Sequence, residues 1–311
     1  MALSVVECVP NVSEGRDRRL IDRLAGAVRS VAGVRLADIH VDPDHHRSVF
    51  TFLGAPAAVE AAAVALAEVA VRAIDMTTHS GIHPRIGALD VLPFVPLREM
   101  SMEDAVAIAR RAGQALGARL ELPIFFYAEA ALSPERRSLP RIRSGGYEGL
   151  ARKLADPAWK PDAGPARFNP RSGATAVGAR GILVAFNVWL ESNDLEAACA
   201  IARAVRESSG GLPAVQAMGV PLAGRGIVQV SLNLLDYRRT SLPQVFERVR
   251  SEAALRGIST RRSELVGLAP RDAFEGASPE SLGLPDFTPA MLLETYLSPS
   301  PSPLPTGERG G

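Results

Sequence analysis

The sequence predicts an α+β fold made of two ferredoxin-like (βαββαβ) α/β subdomains with a ligand groove between them. Two observations predict it. Short apolar segments and longer amphipathic segments follow one another in the order β-α-β-β-α-β, and the same order occurs again in the second half of the chain. Each copy should form one sheet with helices on one face. We place the first subdomain at residues 1–179 and the second at residues 180–297.

The first repeat opens with an apolar strand at residues 4–9, which Pro10 and Asn11 end. An amphipathic helix follows at residues 16–31, because its apolar residues recur at helical spacing. The remaining elements are a strand at 34–39, a polar turn at 42–46, a strand at 48–53, an alanine-rich helix at 57–74 and a buried strand at 89–95. A helix at 100–120 and a strand at 122–127 then extend this subdomain.

The second repeat contains strands at 181–190, 214–220, 227–232 and 264–268, and helices at 193–208 and 241–257. Ser241 and Gln244 have the spacing of a capping box, and Gly257 suits a helix C-terminus. Residues 133–180, between the repeats, are rich in Pro, Gly and Arg and should be irregular, apart from a small helix at 147–154. Such stretches are usually functional or disordered. The tail at 298–311 is of low complexity and should be disordered.

The composition excludes several classes of protein. The 311 residues include 35 Lys and Arg and 34 Asp and Glu, which gives a net charge of +1 and no basic surface for nucleic acid or anionic membranes. A hydrophobic content of 47% is too high for a disordered chain. We expect no membrane span and no signal peptide. Two cysteines are too few for a disulfide framework, which indicates a reducing, cytoplasmic location.

The five histidines lie within 44 consecutive positions, at 40, 45, 46, 79 and 83. His79 and His83 are four residues apart, which on a helix is the spacing of a zinc site. Gly81 and Pro84 argue against a regular helix there. Two interpretations remain open for this loop: its imidazoles satisfy polar loop groups, or one of them transfers protons near neutral pH.

Two further segments carry polar side chains of interest. Residues 42–48 (DPDHHRS) form the turn between two strands, where Asp44 either caps the turn or orients an imidazole. Residues 164–175 (GPARFNPRSGAT) lack any nucleotide-binding glycine pattern. A Gly/Pro-rich loop with arginines and a phenylalanine suits a ligand with an aromatic body and carboxylates, because the guanidinium fork matches a carboxylate.

These segments together resemble the formiminotransferase family, the glutamate formimidoyltransferases of histidine breakdown. The matching stretches are VECVPNVSEGR (6–16), DHHRSVFTFLG (44–54), HSGIHPRIGALDVLPFVP (79–96), GATAVGAR (173–180), ILVAFNV (182–188) and VSLNLLDY (230–237). They occur in order and cover most of residues 6–297. In animals this domain is fused to a cyclodeaminase, and we expect that second activity to be absent from this chain.

The resemblance implies transfer of the formimino group from N-formimino-L-glutamate to the co-substrate tetrahydrofolate, with no metal, in a homodimer. It implies that His83, the second histidine of the H-x-G-x-H-P-R motif, is the catalytic base. The loop that contacts folate in the family corresponds to Gly164, Pro165, Ala166, Arg167, Phe168, Asn169, Pro170, Arg171, Ser172 and Gly173.

This sequence departs from the family pattern at three positions. Val12 replaces a common phenylalanine, His46 stands where asparagine is usual, and His40 stands where some members have aspartate. The side chain that partners His83 is therefore open among Asp38, His40 and Asp44. The expected substrate-binding residues are Asp38, His40, Asp44, Arg47, His79, Arg85 and Arg180, and Arg167 is a further candidate for gripping a carboxylate.

Three alternatives to formimino transfer remain open at this stage. The same fold could transfer a formyl group from N-formylglutamate, because the two electrophilic carbons differ only by O for NH. A folate-binding module without turnover is favoured if His40 and His46 disable the site. A metal-dependent hydrolase would use the histidines at 45, 46, 79 and 83.

Overall fold

A computed structural model describes residues 4–297, and the predicted disordered tail at 298–311 lies outside them. Within these residues the N-terminal sheet has seven strands, namely β1 (Val6–Cys8), β2 (Asn11–Val12), β3 (Val34–Asp42), β4 (Arg47–Gly54), β5 (Leu89–Pro96), β6 (Ile124–Ala128) and β7 (Thr175–Ala179). Five helices belong to this half of the chain, namely α1 (Arg18–Arg29), α2 (Pro56–Ala73), α3 (Met102–Leu120), α4 (Leu139–Arg143) and α5 (Leu150–Ala155).

The N-terminal sheet is built around the broken first strand. Pro10 separates β1 from β2, and both pieces lie antiparallel between β4 and β5. β3 pairs with the other edge of β4, also antiparallel. Beyond β5 come β7 and then β6, both parallel to it. The predicted extension of the first repeat by a helix and a strand is therefore confirmed.

The C-terminal sheet contains β8 (Val184–Leu190), β9 (Val215–Leu222), β10 (Ile227–Leu234) and β11 (Thr260–Val266), with helices α6 (Leu195–Val205), α7 (Leu242–Ala254) and the short α8 (Glu294–Leu297). Its strand order is β11-β8-β10-β9, and every neighbouring pair is antiparallel. The predicted capping box of α7 is present between Ser241 and Gln244. The coarse prediction of an α+β chain with two sheets is confirmed.

The prediction was wrong for the segment at 133–180, which contributes β7 to the interior of the first sheet. β7 is short and is made largely of Ala and Gly, so it carries little of the β-branched signal that marks a strand. Gly178 in β7 is required by packing, because a Cβ there would lie 2.5 Å from Cδ1 of Tyr127. The predicted small helix is present as α5, and α4 was not predicted.

The long helices cover one face of each sheet. On the other face of the N-terminal sheet, α4 and α5 pack over β5, β6 and β7, and the part near β3 and β4 contacts the C-terminal sheet. On the helix side, Phe50 and Phe52 of β4 and Phe186 of β8 are fully buried in the two main hydrophobic cores. The opposite faces carry polar side chains such as Thr51 and Gln229, which are also buried. Contacts between the two halves of the chain form along these faces, so they are where a site between subdomains would lie. Among the described residues, no helix is long and apolar enough to cross a membrane.

Candidate functional site

The loop before β5 holds His83 as a neutral imidazole. Within residues 79–87 the chain forms no helix, as Gly81 and Pro84 predicted. Nδ1 of His83 lies 2.8 Å from the carbonyl oxygen of Pro84. A carbonyl can only accept, so Nδ1 carries the proton and Nε2 keeps its lone pair. Burial, and then the charges of Arg47, Arg143 and His45, hold the pKa of His83 well below its usual value. His83 is therefore unprotonated at neutral pH.

His79 and His46 form a stacked pair beside this loop. Their ring centroids are 4.2 Å apart with an interplanar angle of 12°. Nε2 of His79 donates to the carbonyl oxygen of His46 (3.0 Å), and Nδ1 of His79 accepts from Nε of Arg85 (3.1 Å). His46 in turn contacts Glu14 through Nε2 at 3.2 Å. Both nitrogens of His79 are thus occupied by protein groups, and its contacts hold the loop in place.

His46 also has an unusual backbone conformation. Its φ is +50°, in the left-handed region where asparagine is far more readily accommodated than most residues. The asparagine that the sequence resemblance implies at this position would adopt the same φ readily, so the turn between β3 and β4 accommodates either residue.

A buried cluster of charges lies between this turn and the loop. Nη1 of Arg47 is 2.7 Å from Oδ2 of Asp90, and the same oxygen accepts a hydrogen bond from Nη2 of Arg143. The other carboxylate oxygen of Asp90 accepts from the backbone N–H of Ile86 (3.0 Å). Arg47 also donates to Oδ1 of Asn11. Asp90 thereby ties both arginines to the loop that carries His83.

The three residues predicted as partners of His83 lie at the contact between the two sheets. Asp44 accepts from the backbone N–H of Gly224 (2.9 Å). His40 faces Glu264 at 3.8 Å. Burial raises the pKa of Asp38, and the N–H of Gly267 partly opposes it. The described partner of Nδ1 of His83 is instead the carbonyl of Pro84.

The predicted folate loop divides into two parts. Its first part lies against the end of α3, where Arg167 approaches Glu121 at 3.7 Å and both side chains are exposed. Its second part packs on the histidine loop, because the N–H of Ala174 donates to Ile86 and the N–H of Ala88 donates to Ser172. The structure therefore brings Ser172 and Gly173 to the histidine loop, whereas Arg167 lies at the surface near Glu121.

The other two predicted arginines are in different surroundings. Arg85 pairs with Glu148 at 2.8 Å in addition to His79, so its guanidinium is already engaged. Arg180 lies farther along the sheet, beside Glu7 and Tyr127. Glu7 is 6% exposed, and burial raises its pKa to about 7 although the charge of Arg180 opposes the rise.

We expect Glu7→Gln to stabilise the protein at alkaline pH. The pKa of Glu7 is raised from 4.5 to about 7 on folding, so the folded state binds the extra proton between these values and the unfolding free energy falls as pH rises through this window. At pH 8 the variant should therefore gain up to about 3 kcal/mol over the wild type, and at pH 4 almost nothing. Denaturant unfolding at both pH values measures this. The exposed Glu191→Gln is the control, and equal stability of Glu7→Gln and wild type at pH 8 would contradict the prediction.

Sequence reasoning missed three residues of this region, namely Asp90, Arg143 and Gln229. His45 was named among the clustered histidines but was given no role in the transfer reaction. His45 is buried with Nδ1 3.3 Å from Oδ2 of Asp42 and Nε2 3.3 Å from Nε2 of Gln229, and its ring centroid is 5.7 Å from that of His83. The sequence does distinguish Asp90, because it is the one charged residue in an otherwise apolar strand. No sequence feature distinguishes Arg143, since it lies among several arginines.

No group of three or more His, Cys, Asp or Glu residues among residues 4–297 has the geometry to hold a metal ion. Two surface cavities of about 560 and 520 Å³ lie on α3 and between α7 and β11. Neither is lined by a predicted site residue.

Two family profiles match the chain. The formiminotransferase domain, N-terminal subdomain, matches residues 5–180, and the formiminotransferase domain matches residues 185–279. The chain is 40% identical to the glutamate formimidoyltransferase of Streptococcus pyogenes serotype M1, over 94% of this chain and 98% of that protein. It is 42% identical to the glutamate formimidoyltransferase of Thermoplasma acidophilum, over 94% and 97%. It is 44% identical to the formimidoyltransferase-cyclodeaminase of Mus musculus, over 88% of this chain and 52% of that protein.

Proposed function

The chain belongs to the formiminotransferase family, and we propose that it transfers the formimino group of N-formimino-L-glutamate to N5 of tetrahydrofolate, giving 5-formiminotetrahydrofolate and L-glutamate. It is an enzyme, a transferase. The observation that carries the specific proposal is the neutral imidazole of His83, with Nδ1–H fixed by Pro84 and Nε2 left as a base. That is the state in which an imidazole can accept a proton at neutral pH.

The proposed mechanism uses His83 twice. Tetrahydrofolate supplies the nucleophilic nitrogen, so no covalent bond to the protein is needed. Nε2 of His83 accepts the proton that N5 loses as the new C–N bond forms. His83 then returns that proton to the nitrogen of glutamate, and the old C–N bond breaks. Proton transfer of this kind typically contributes ~10²–10⁴-fold, and positioning contributes much of the rest.

We propose that tetrahydrofolate binds in the region between the sheets, and three buried polar atoms support this. Oγ1 of Thr51, Oε1 of Gln229 and Nε1 of Trp189 are buried without hydrogen-bond partners among the described residues. Such atoms cost free energy unless a ligand or water satisfies them, so they suit a polar heterocycle. Residues 169–173 and the ring of Phe168, whose centroid is 5.6 Å from that of Tyr147, would flank it.

We propose that both subdomains are ferredoxin-like units that meet near residue 180, and the matching strand orders of the two sheets support this. We also propose that the enzyme is cytoplasmic and works as a homodimer without a metal.

A product assay with two donors tests the proposed function. Purified protein is incubated with tetrahydrofolate and either N-formimino-L-glutamate or N-formyl-L-glutamate, and the folate product is identified by mass spectrometry. We expect 5-formiminotetrahydrofolate from the first donor at the higher kcat/KM. Preference for the second donor would show formyl transfer, and folate binding without either product would show a non-catalytic module.

The acid limb of the pH–rate profile should lie below pH 6.5. Burial, and then Arg47 and Arg143, hold the pKa of His83 below that value, so the base form persists into mildly acidic solution and activity is lost as pH falls through the lowered pKa. Steady-state kcat/KM for the donor between pH 4.5 and 8 measures the limb. Arg143→Gln should move it upward, and a wild-type limb at or above pH 6.5 would refute this account of His83.

A further inference from the structure

The buried cluster around Asp90 contains more positive than negative charge. Two guanidiniums, those of Arg47 and Arg143, share one carboxylate that is fully buried. Arg47 itself is 7% exposed, and the side chain of Arg143 is 14% exposed. Burial lowers the pKa of Arg47 to about 10; the carboxylate of Asp90 opposes this shift, and the charge of Arg143 adds to it. A pKa of about 10 keeps Arg47 cationic at neutral pH, and the two guanidinium groups repel each other.

Neighbouring groups leave this surplus charge in place. The carboxylate of Asp42 contacts Nδ1 of His45 and the backbone N–H of the same residue, which directs it away from the arginines. Burial lowers the pKa of His45 as well as that of His83. Neither imidazole therefore alters the positive net charge of the cluster at neutral pH. Nε of Arg143 is buried and has no hydrogen-bond partner among residues 4–297. An anion would supply both the missing charge and the missing acceptor.

An anion held by these arginines would lie near the loop that carries His83. Arg143 is joined through Asp90 to the N–H of Ile86, three residues beyond His83, and both arginines act electrostatically on the His83 imidazole. In a formiminoglutamate donor the α-carboxylate is three bonds from the formimino carbon, each of about 1.3–1.5 Å. The glutamate of tetrahydrofolate is at the far end of that molecule from N5. Among the carboxylates of the two substrates, the donor's α-carboxylate is therefore the one joined by the fewest bonds to the reacting carbon.

We propose that Arg143, together with Arg47, binds the α-carboxylate of the glutamyl donor and so places its formimino carbon beside Nε2 of His83. This rests on the proposed function for the identity of the donor. The bidentate geometry of a guanidinium would fix the direction of the carboxylate as well as its position. The bound negative charge would also oppose the effect of the two arginines on His83, so the base would strengthen when the donor is present.

Equilibrium binding of two donor analogues tests the proposal without any turnover. N-acetyl-L-glutamate carries the α-carboxylate, and 4-acetamidobutyrate is the same molecule without it. Calorimetry should show that wild type binds the first more tightly. Arg143→Gln should weaken binding of N-acetyl-L-glutamate at least 10-fold and leave that of 4-acetamidobutyrate unchanged. Arg143→Lys keeps the positive charge but loses the bidentate guanidinium, so its affinity for N-acetyl-L-glutamate should lie between those of wild type and Arg143→Gln.

Arg141→Gln is the matched control, because Arg141 lies on the same short helix with an exposed side chain. It should bind both analogues as wild type does. The proposal is overturned if Arg143→Gln keeps the wild-type discrimination, or if folded wild type does not discriminate at all. The donor assay is independent: discrimination that depends on Arg143 in a protein with no formimino transfer would uphold this site and reject the proposed function.

Discussion

His83→Ala should lower kcat/KM for formimino transfer by ~10²–10⁴-fold while the fold is retained. The imidazole is the one group in the loop that combines a free nitrogen with a pKa held below its usual value, so no neighbour can take over its proton. His79 is not a substitute, because both of its nitrogens already have protein partners. Steady-state kinetics with saturating tetrahydrofolate measure the loss, and added imidazole should restore part of it.

His46→Asn is the matched control for this experiment. It changes a histidine of the same region, but it places asparagine at a φ of +50°, which asparagine tolerates well. We expect a far smaller loss of activity than in His83→Ala, because this change removes contacts with His79 and Glu14 but leaves the imidazole of His83 in place. If His83→Ala retained wild-type turnover with its circular dichroism unchanged, another group would have to be the base.

The order of helices and strands was predictable because most elements carry a strong periodic signal. β4 and β5 are rich in aromatic and aliphatic residues, and α1 shows clear amphipathic spacing. β7 was not predicted, because the packing of Tyr127 requires a small residue there and the strand therefore has little strand propensity. That constraint exists only once β6 and β7 are neighbours, so no local pattern can reveal it.

The candidate site was predictable in its loop but not in its electrostatics. The histidine motif located His83, since Gly81 and Pro84 exclude a helix from local rules alone. The depressed pKa of His83 comes first from burial and then from Arg47 and Arg143, and Arg143 is 60 positions away and is linked to the loop through Asp90. Tertiary contacts of this kind produce no recognisable spacing pattern in the sequence. Sequence reasoning therefore preferred arginines within recognised motifs, such as Arg167. The structure places Arg167 at the surface.

Asp90→Asn should lower the free energy of unfolding by about 3–5 kcal/mol. Asp90 is fully buried and is the shared carboxylate of Arg47 and Arg143, so the substitution removes the only negative charge in direct contact with both among the described residues. Asparagine keeps the shape and an acceptor for the N–H of Ile86, which leaves the change in charge as the cause. Denaturant unfolding at pH 7 measures the loss.

The double variant Asp90→Asn, Arg143→Gln tests more strictly whether charge stabilises the cluster. If the loss in Asp90→Asn comes from two unpaired guanidiniums, removing one of them as Arg143→Gln should recover part of it, and the two changes should be strongly non-additive. Glu60→Gln, which breaks an ion pair with the half-exposed Arg111, should cost less than about 1 kcal/mol. Additive losses at Asp90 and Arg143, or a loss no larger than that of Glu60→Gln, would mean that the cluster is not held by charge. The same cycle bears on catalysis, because a cluster that needs Asp90 to be stable is one whose remaining positive charge is available to a substrate carboxylate.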